Sequence, residues 1–333
     1  MTILVTGGAG YIGSVTVERL ATIGESIVVL DDLSYGHREA IDAGIPFYQG
    51  SAGDRGLLAD IVKEHGIDSC MHFAASAFVA ESVEKPALYF ENNVQQGISL
   101  LNALVDAGVR RFIFSSSCTV YGEVTRIPMI GEDSPLWPTN PYGWTKFTLE
   151  RILETYDTAY GLKSVCLRYF NAAGATERIG EDHHPETHLI PNVLLAAADP
   201  HREVRIFGNQ YPTPDGTAIR DYIHVADLAD AHIRALEHLR RVGTSAAVNL
   251  GTGRGYSVLE VVESARRVTG VPIRTRIEGP RLGDPARLVA DPSRAKALLK
   301  WQPTMSELDA IVKSAWAWKK RQPNGYGSRA VAK

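Results

Sequence analysis

Cysteine is nearly absent: the 333-residue chain has three, at positions 70, 118 and 166. An odd number, wide separation and apolar neighbours exclude a disulfide framework and any cysteine-ligated zinc. The thiols read as reduced core residues of a cytoplasmic protein, and no metal is expected. Long apolar runs are also missing; none approaches the roughly 20 residues needed to span a bilayer. No cationic lead precedes the first apolar stretch, and Thr2 to Thr6 reads at once as a buried strand, so no secretory leader is expected. Neither sign of charge dominates. Lys and Arg number 35 against 38 Asp and Glu, a net −3 that gives no general pull toward nucleic acid or anionic lipid. What remains is a globular composition, 44% hydrophobic and 22% charged, with length for about two domains.

The first half alternates two periods. Short β-rich runs (Ile3–Thr6, Ile27–Leu30, Cys70–Phe73, Phe112–Ser115, Val165–Arg168) suit strands buried on both faces. Helix-period stretches lie between them, at Tyr11 to Ile23 and at Asn93 to Ala107, the latter stopped by Gly108. This rhythm predicts a doubly wound α/β fold, a parallel sheet with helices on both faces. After about Asn171 the rhythm breaks into Gly, Pro, His and Asn, with a short strand at Val204–Phe207, a helix at Asp227–Leu239 and one more strand at Val248–Leu250. The expected division is a dinucleotide-binding domain at 1–171 with a return segment at about 217–244, and a smaller α/β substrate domain at 172–216 and 245–333. The polar stretch Gln322 to Lys333 is expected to fray.

Two constellations carry chemistry. Gly7, Gly10 and Gly13 sit three apart, directly after the first strand and at the opening of the first helix. A pyrophosphate held there needs a tight turn, a close backbone approach and a helix N-terminus facing the anion. Asp31, ending the second strand, is placed to accept hydrogen bonds from a ribose diol and would repel a 2′-phosphate, which favours NAD over NADP. The competing reading is a glycine-rich turn with no ligand. The second constellation joins Ser115-Ser116-Ser117, at the carboxyl edge of the sheet, to Tyr142 and Lys146, one turn apart on a helix capped by Asn140 and opened by Pro141. A phenol has an ordinary pKa near 10, and ionising it at neutral pH takes roughly 4–5 kcal/mol of preferential stabilisation. Lys146 and the positive ring of oxidised NAD are expected to contribute this, so that Tyr142 takes a proton from a substrate hydroxyl also held by Ser117. Taken singly, a helical Tyr-x-x-x-Lys is often a half-buried aromatic beside a solvated lysine, and three serines can simply satisfy a strand end. Their order behind the glycine loop favours the catalytic reading.

From Thr2 to about Trp318 the chain resembles the extended short-chain dehydrogenase/reductase family, specifically its UDP-hexose 4-epimerase branch. The most specific segments are Thr6 to Gly13, Phe112 to Gly122 (Phe-Ile-Phe-Ser-Ser-Ser-Cys-Thr-Val-Tyr-Gly) and Tyr142 to Lys146, supported by Leu167–Asn171, Ile206–His224 and Asn249–Gly253. The resemblance implies tightly held NAD and interconversion of UDP-galactose and UDP-glucose, by hydride loss at C4, rotation of a 4-keto sugar and hydride return. It implies Tyr142 as base, Lys146 on the cofactor ribose and Ser117 in the proton relay. Tyr11, Ile12, Ser51, Phe73, Ala74, Asn92 and Tyr169 match cofactor contacts. For the nucleotide sugar it implies Asn171, His188 and Leu189 near the sugar and diphosphate, Arg220 and Arg281 on phosphates, Asp284 on the uridine ribose and Phe207 at the uracil. Surface salt bridges are the plain alternative for the two arginines. A homodimer is implied, with the helices at Asn93–Ala107 and Pro141–Tyr156 pairing across a two-fold axis.

Three positions depart from the family pattern. Ala77 replaces a lysine, Ser51 an aspartate, and His188 an asparagine, at the diphosphate or with no ligand at all. Leu288 falls where the sugar pocket closes on the N-acetyl side and neither admits nor excludes UDP-N-acetylhexosamines; UDP-pentoses and UDP-uronates are further alternatives. A nucleotide-sugar 4,6-dehydratase would show Thr-Asp-Glu after the serine strand, where this chain has Ser117-Cys118-Thr119. A redox-sensing binding module would have no reason to keep Tyr142 and Lys146 together.

Overall fold

Runs such as Ile3-Leu4-Val5 and Val28-Val29-Leu30 are solvent-excluded on both faces, which is possible only inside a sheet covered by helices on each side. A computed structural model describes residues 1–123, 128–281 and 284–327 and shows that sheet. Strands β1 (Thr2–Thr6), β2 (Ser26–Asp31), β3 (Phe47–Gln49), β4 (Ile67–His72), β5 (Arg111–Ser117) and β6 (Lys163–Tyr169) are joined by a late strand, Ala246–Leu250. All seven are parallel, in the spatial order Ala246–Leu250, β6, β5, β4, β1, β2, β3. The chain winds outward from β1 through β2 and β3, then restarts at β4 on the other side. The switch point therefore lies between β1 and β4, where open α/β sheets bind ligands.

Helices Tyr11–Thr22 and Val225–Arg241 cover one face, packing Val17, Leu20, Leu228 and Leu236 on Ile3, Val5 and Val29. Helices Arg55–His65, Gln96–Asp106 and Pro141–Tyr160 cover the other, with Leu58, Leu101, Leu104 and Leu149 on Leu4, Val28 and Phe112. A separate core gathers helices Leu189–Ala198, Val258–Thr269 and Leu308–Arg321 around Val193, Val261, Val262 and Ile311. Among the described residues no helix is long and apolar enough to cross a membrane.

Several details differ from the sequence expectation. β3 carries no strong periodic signal and was absent from it; three residues suffice because they pair with Val29–Asp31 already in place. The strand Ala246–Leu250 belongs to the large sheet, so the return segment extends past residue 244. The helix expected from Asn93 starts as a wide turn, Phe90–Gln95, before the α-helix Gln96–Asp106. Residues 322–327 do not fray: Tyr326 stacks on His37 at 4.6 Å, its amide donates to Asp182 Oδ2 at 3.0 Å, and its hydroxyl accepts from the Gly180 amide at 3.1 Å. The remainder of that stretch, 328–333, lies outside the described residues. The three thiols are free and buried.

Candidate active site

The glycine loop is built by exclusion. Gly7 adopts φ +70°, and a Cβ there would lie 2.3 Å from the Ala74 nitrogen; a Cβ on Gly13 would lie 2.2 Å from the Gly7 carbonyl oxygen. Both contacts are impossible, so β1, the loop after β4 and the first helix meet only because these positions lack side chains. Gly10 is the N-cap of helix Tyr11–Thr22 and offers no side-chain cap, and the first turn holds no carboxylate. Among the described residues no side chain caps the first-turn amides, which leaves the positive end of the helix dipole as a cradle that fits a pyrophosphate.

Asp31 closes the far edge of this cradle. Its Oδ2 accepts from the Ala9 amide and its Oδ1 from the Leu33 amide, each at 2.8 Å. Phe73 and Ala74 follow β4, both amides donating to the Thr6 carbonyl, and the Phe73 ring packs on His232 at 4.6 Å. Ser51 donates to Gln96 Oε1 at 2.8 Å and accepts from the Gly53 amide. The Asn92 amide donates to Ser76 Oγ at 3.1 Å. Ile12 packs against the core below the loop, and the Tyr11 hydroxyl donates to the Gly174 carbonyl at 2.6 Å, tying the loop helix to the chain after β6.

The Ser-Tyr-Lys group stands where β5 ends. Asn140 Oδ1 accepts from the Gly143 amide at 2.9 Å, and Pro141 opens the helix as expected. Beside Tyr142, Ser117 Oγ accepts from Thr119 Oγ1 at 3.0 Å and from the Thr119 amide at 3.2 Å. Lys146 is fully enclosed and donates to the Ser115 carbonyl at 2.7 Å; its Nζ lies 5.0 Å from the Phe114 ring centre and 5.7 Å from that of Tyr142.

Here the electrostatics depart from expectation. Burial pushes the Tyr142 phenol up to about 12, against a smaller lowering by the neighbouring Ser117 hydroxyl. Burial also pulls the Lys146 ammonium down to about 7, with the Glu150 carboxylate opposing. Lys146 alone therefore does not bring Tyr142 into the neutral range: the desolvation that brings the pair together penalises both charged forms. His72, under the same cover, is held neutral by burial and then by the lysine charge, at about 3. Tyr169, matched to the cofactor, is itself buried, with its hydroxyl turned to His232. Because His232 Nδ1 faces the Leu228 carbonyl at 2.8 Å it carries the ring proton, so Nε2 accepts from Tyr169.

The groups matched to the nucleotide sugar cluster in part. Arg281 lies over the Phe207 ring at 4.0 Å. Arg220 and Asp284 form an ion pair, and Arg220 Nη1 also donates to the Ile219 and Pro285 carbonyls. The arginine fork expected on phosphate is thus engaged with the carboxylate expected on ribose. Asn171 begins a short strand, its amide donating to the Asp221 carbonyl. His188 precedes helix Leu189–Ala198, with Nδ1 2.7 Å from Glu181 and 3.1 Å from Glu186. Leu288 packs beside Cys118, Tyr121 and Phe170.

Sequence reasoning missed two supports. Asn93, buried in the wide turn, accepts from the Ser76 amide at 2.8 Å and donates to the Ser76 carbonyl and to Thr145 Oγ1, each at 3.0 Å, binding the loop after β4 to the Tyr142 helix. An asparagine on the core side of an apolar helical repeat was the available signal. Glu150 and Arg168 are both buried and paired through two hydrogen bonds of 2.9 and 2.6 Å, with Ser116 donating to Glu150 at 2.6 Å. Glu150, one turn beyond Lys146, was legible as a charge on the helix face that carries the lysine.

Glycine cradle, acidic strand end and Ser-Tyr-Lys group lie along the same carboxyl edge of the sheet, after β1, β2 and β5. The chain belongs to the NAD dependent epimerase/dehydratase family, which it matches over residues 3–251. It is 50% identical to a UDP-glucose 4-epimerase of Halalkalibacterium halodurans over 98% of each chain. Among solved structures it is similar to UDP-glucose 4-epimerase from Brucella ovis in complex with NAD (47% identity, TM-score 0.92, 95% of this chain and 97% of that one). A second is the enzyme from Bifidobacterium longum in complex with NAD+ and UDP (37%, TM-score 0.92, 98% and 100%).

Proposed function

We propose that the protein is an NAD-dependent epimerase interconverting UDP-galactose and UDP-glucose, with Tyr142, Ser117 and Lys146 as its reacting and orienting groups. The observation that carries this reading is the enclosed Lys146 beside the Tyr142 ring, next to the strand that ends in Ser117, at the sheet edge reached by the glycine loop. When bound, oxidised NAD supplies the hydride acceptor and a positive ring charge beside the phenol. Ser117 and Tyr142 would hold the C4 hydroxyl, with Tyr142 taking its proton when C4 is oxidised and giving it back to the oxygen when C4 is reduced; between the two the 4-keto sugar would turn about its diphosphate linkage and so present its opposite face. Lys146, fixed by the Ser115 carbonyl beside the Tyr142 ring, would hold the cofactor ribose. Gly7, Gly10, Gly13 and the first-turn amides of Tyr11 and Ile12 receive the pyrophosphate, Asp31 and Ser51 the adenosine side, and Phe73, Ala74, Asn92 and Tyr169 enclose the nicotinamide half.

Specificity must reside in the part of the substrate that does not turn. Phe207 and Arg281 take the uracil and phosphate; Arg220 and Asp284 exchange part of their mutual contact for phosphate and ribose; Asn171, His188 and Leu189 border the diphosphate. Two relatives support this assignment, one solved with NAD and one with NAD+ and UDP. No carboxylate adjoins Ser117 in the sequence, which disfavours dehydration as the alternative outcome. The reduced, buried thiols support a cytoplasmic location. The helices Gln96–Asp106 and Pro141–Tyr160 are assigned to a homodimer interface; sedimentation as a monomer at micromolar concentration would reject it. Incubation of purified protein with UDP-galactose tests the activity: UDP-glucose should accumulate with no net NADH, whereas a 4-keto-6-deoxy product or no turnover would overturn the reading.

A further inference from the structure

We propose that Glu181, His183, Glu186 and His188 form a binding site for one divalent transition-metal ion of the zinc class. The four side chains come from one eight-residue segment, yet their donor atoms all lie within 4.8 Å of one another. His188 Nδ1 is 2.7 Å from Glu181 and 3.1 Å from Glu186, and His183 Nδ1 is 3.2 Å from Glu181. A tetrahedral ion with bonds of about 2.0–2.1 Å needs neighbouring donors about 3.3 Å apart, slightly wider than these three separations and within the 4.8 Å span of the cluster. Side-chain rotations therefore suffice to admit it. Two imidazole nitrogens and two carboxylate oxygens suit zinc, cobalt or nickel rather than the oxygen-only cages of magnesium and calcium. Two carboxylates also balance the ion's charge with both imidazoles neutral.

These are not solvated surface carboxylates: the Glu181 and Glu186 side chains are 7% and 10% exposed. The segment is braced from outside. Asp182 accepts from the Tyr326 amide through Oδ2 and contacts His37 Nε2 at 2.9 Å through its carbonyl; Asn192 Nδ2 donates to the carbonyls of Glu186 at 3.3 Å and His188 at 2.8 Å. Such outer contacts are what hold metal ligands in register. A cavity of about 250 Å³ opens onto Glu181, His183 and Glu186 and supplies the entry path. The His183 ring meets Tyr11 edge-on at 6.4 Å, so an ion here ties the glycine-loop helix to the start of helix Leu189–Ala198, apart from the Tyr142 chemistry.

The test uses the untagged, NAD-loaded chain, treated with chelator, desalted and titrated with cobalt(II). One equivalent should bind per chain with the intense visible bands of tetrahedral cobalt, and zinc(II) should displace it. H183Q and E186Q, each checked for retained NAD and an unchanged circular dichroism spectrum, should weaken cobalt binding more than about tenfold, while H201Q, at an exposed histidine in the turn after helix Leu189–Ala198 and outside the cluster, leaves it intact. Absence of stoichiometric cobalt at micromolar concentration, weak octahedral bands only, or binding indifferent to both variants would overturn the site. If either variant loses its fold, metal counted in the wild-type chain after dialysis against zinc decides: one per chain supports the site, and none rejects it.

Discussion

Replacing Lys146 by methionine should stabilise the protein while destroying its activity. The lysine is 2% exposed, and its Nζ donates to the Ser115 carbonyl at 2.7 Å. Burial lowers its pKa from the ordinary 10.5 to about 7. That gap corresponds to roughly 5 kcal/mol of preference for the neutral form. Below pH 7 the folded chain carries the buried ammonium and bears this cost in full. Between about 7 and 10.5 the unfolded chain keeps its proton while the folded chain has released it, so wild-type stability rises with pH across this window. Methionine fills similar volume without charge but leaves the Ser115 carbonyl short of a donor, an offset of about 1–3 kcal/mol. The net expectation at pH 6 is about 2–4 kcal/mol of added stability, roughly 3–6 °C in Tm for a chain of this length. Thermal unfolding of dinucleotide-free protein at pH 6 and pH 9 provides the assay: the advantage of K146M should be largest at pH 6 and shrink by pH 9. A variant no more stable than wild type at pH 6, or an advantage indifferent to pH, would refute the view that Lys146 is held in place at the expense of stability.

Tyr142→Phe should lower kcat by about 10²–10⁴ while bound NAD and UDP affinity persist; turnover near wild type would remove Tyr142 as the proton acceptor. Gly13→Ala places a Cβ 2.2 Å from the Gly7 carbonyl oxygen and 2.9 Å from Gly8 Cα, so the desalted variant should retain little NAD by absorbance, and full retention would contradict the cradle geometry. Glu150→Gln leaves the buried Arg168 guanidinium without its counter-ion and should cost about 3–5 kcal/mol in urea unfolding; the double variant E150L/R168M should recover most of this, and equal losses in both would show packing rather than charge to be at stake.

The parts legible in the sequence are those whose physics is local. A glycine every third residue between a strand and a helix has few other uses, because only there does a missing Cβ let three backbone segments meet. Asn140-Pro141 before an apolar helical repeat fixes where the Tyr142 helix begins, and the helix alone then sets Tyr142 and Lys146 on one face. Strand identity likewise follows from runs buried on both sides. Neighbour relations do not: that β4 lies beside β1, that Asn93 reaches Ser76 and Thr145, and that His232 receives the Tyr169 hydroxyl depend on contacts across tens of residues. The tail shows the same limit, since its polar composition suggested fraying until His37 and Asp182 provided surfaces for Tyr326. Charge state is the least local property. The sequence by itself determined which phenol and which amine stand together, through the fixed pitch of one helix. Only the tertiary structure decided that both are stripped of water, because desolvation is the summed work of every element packed around them.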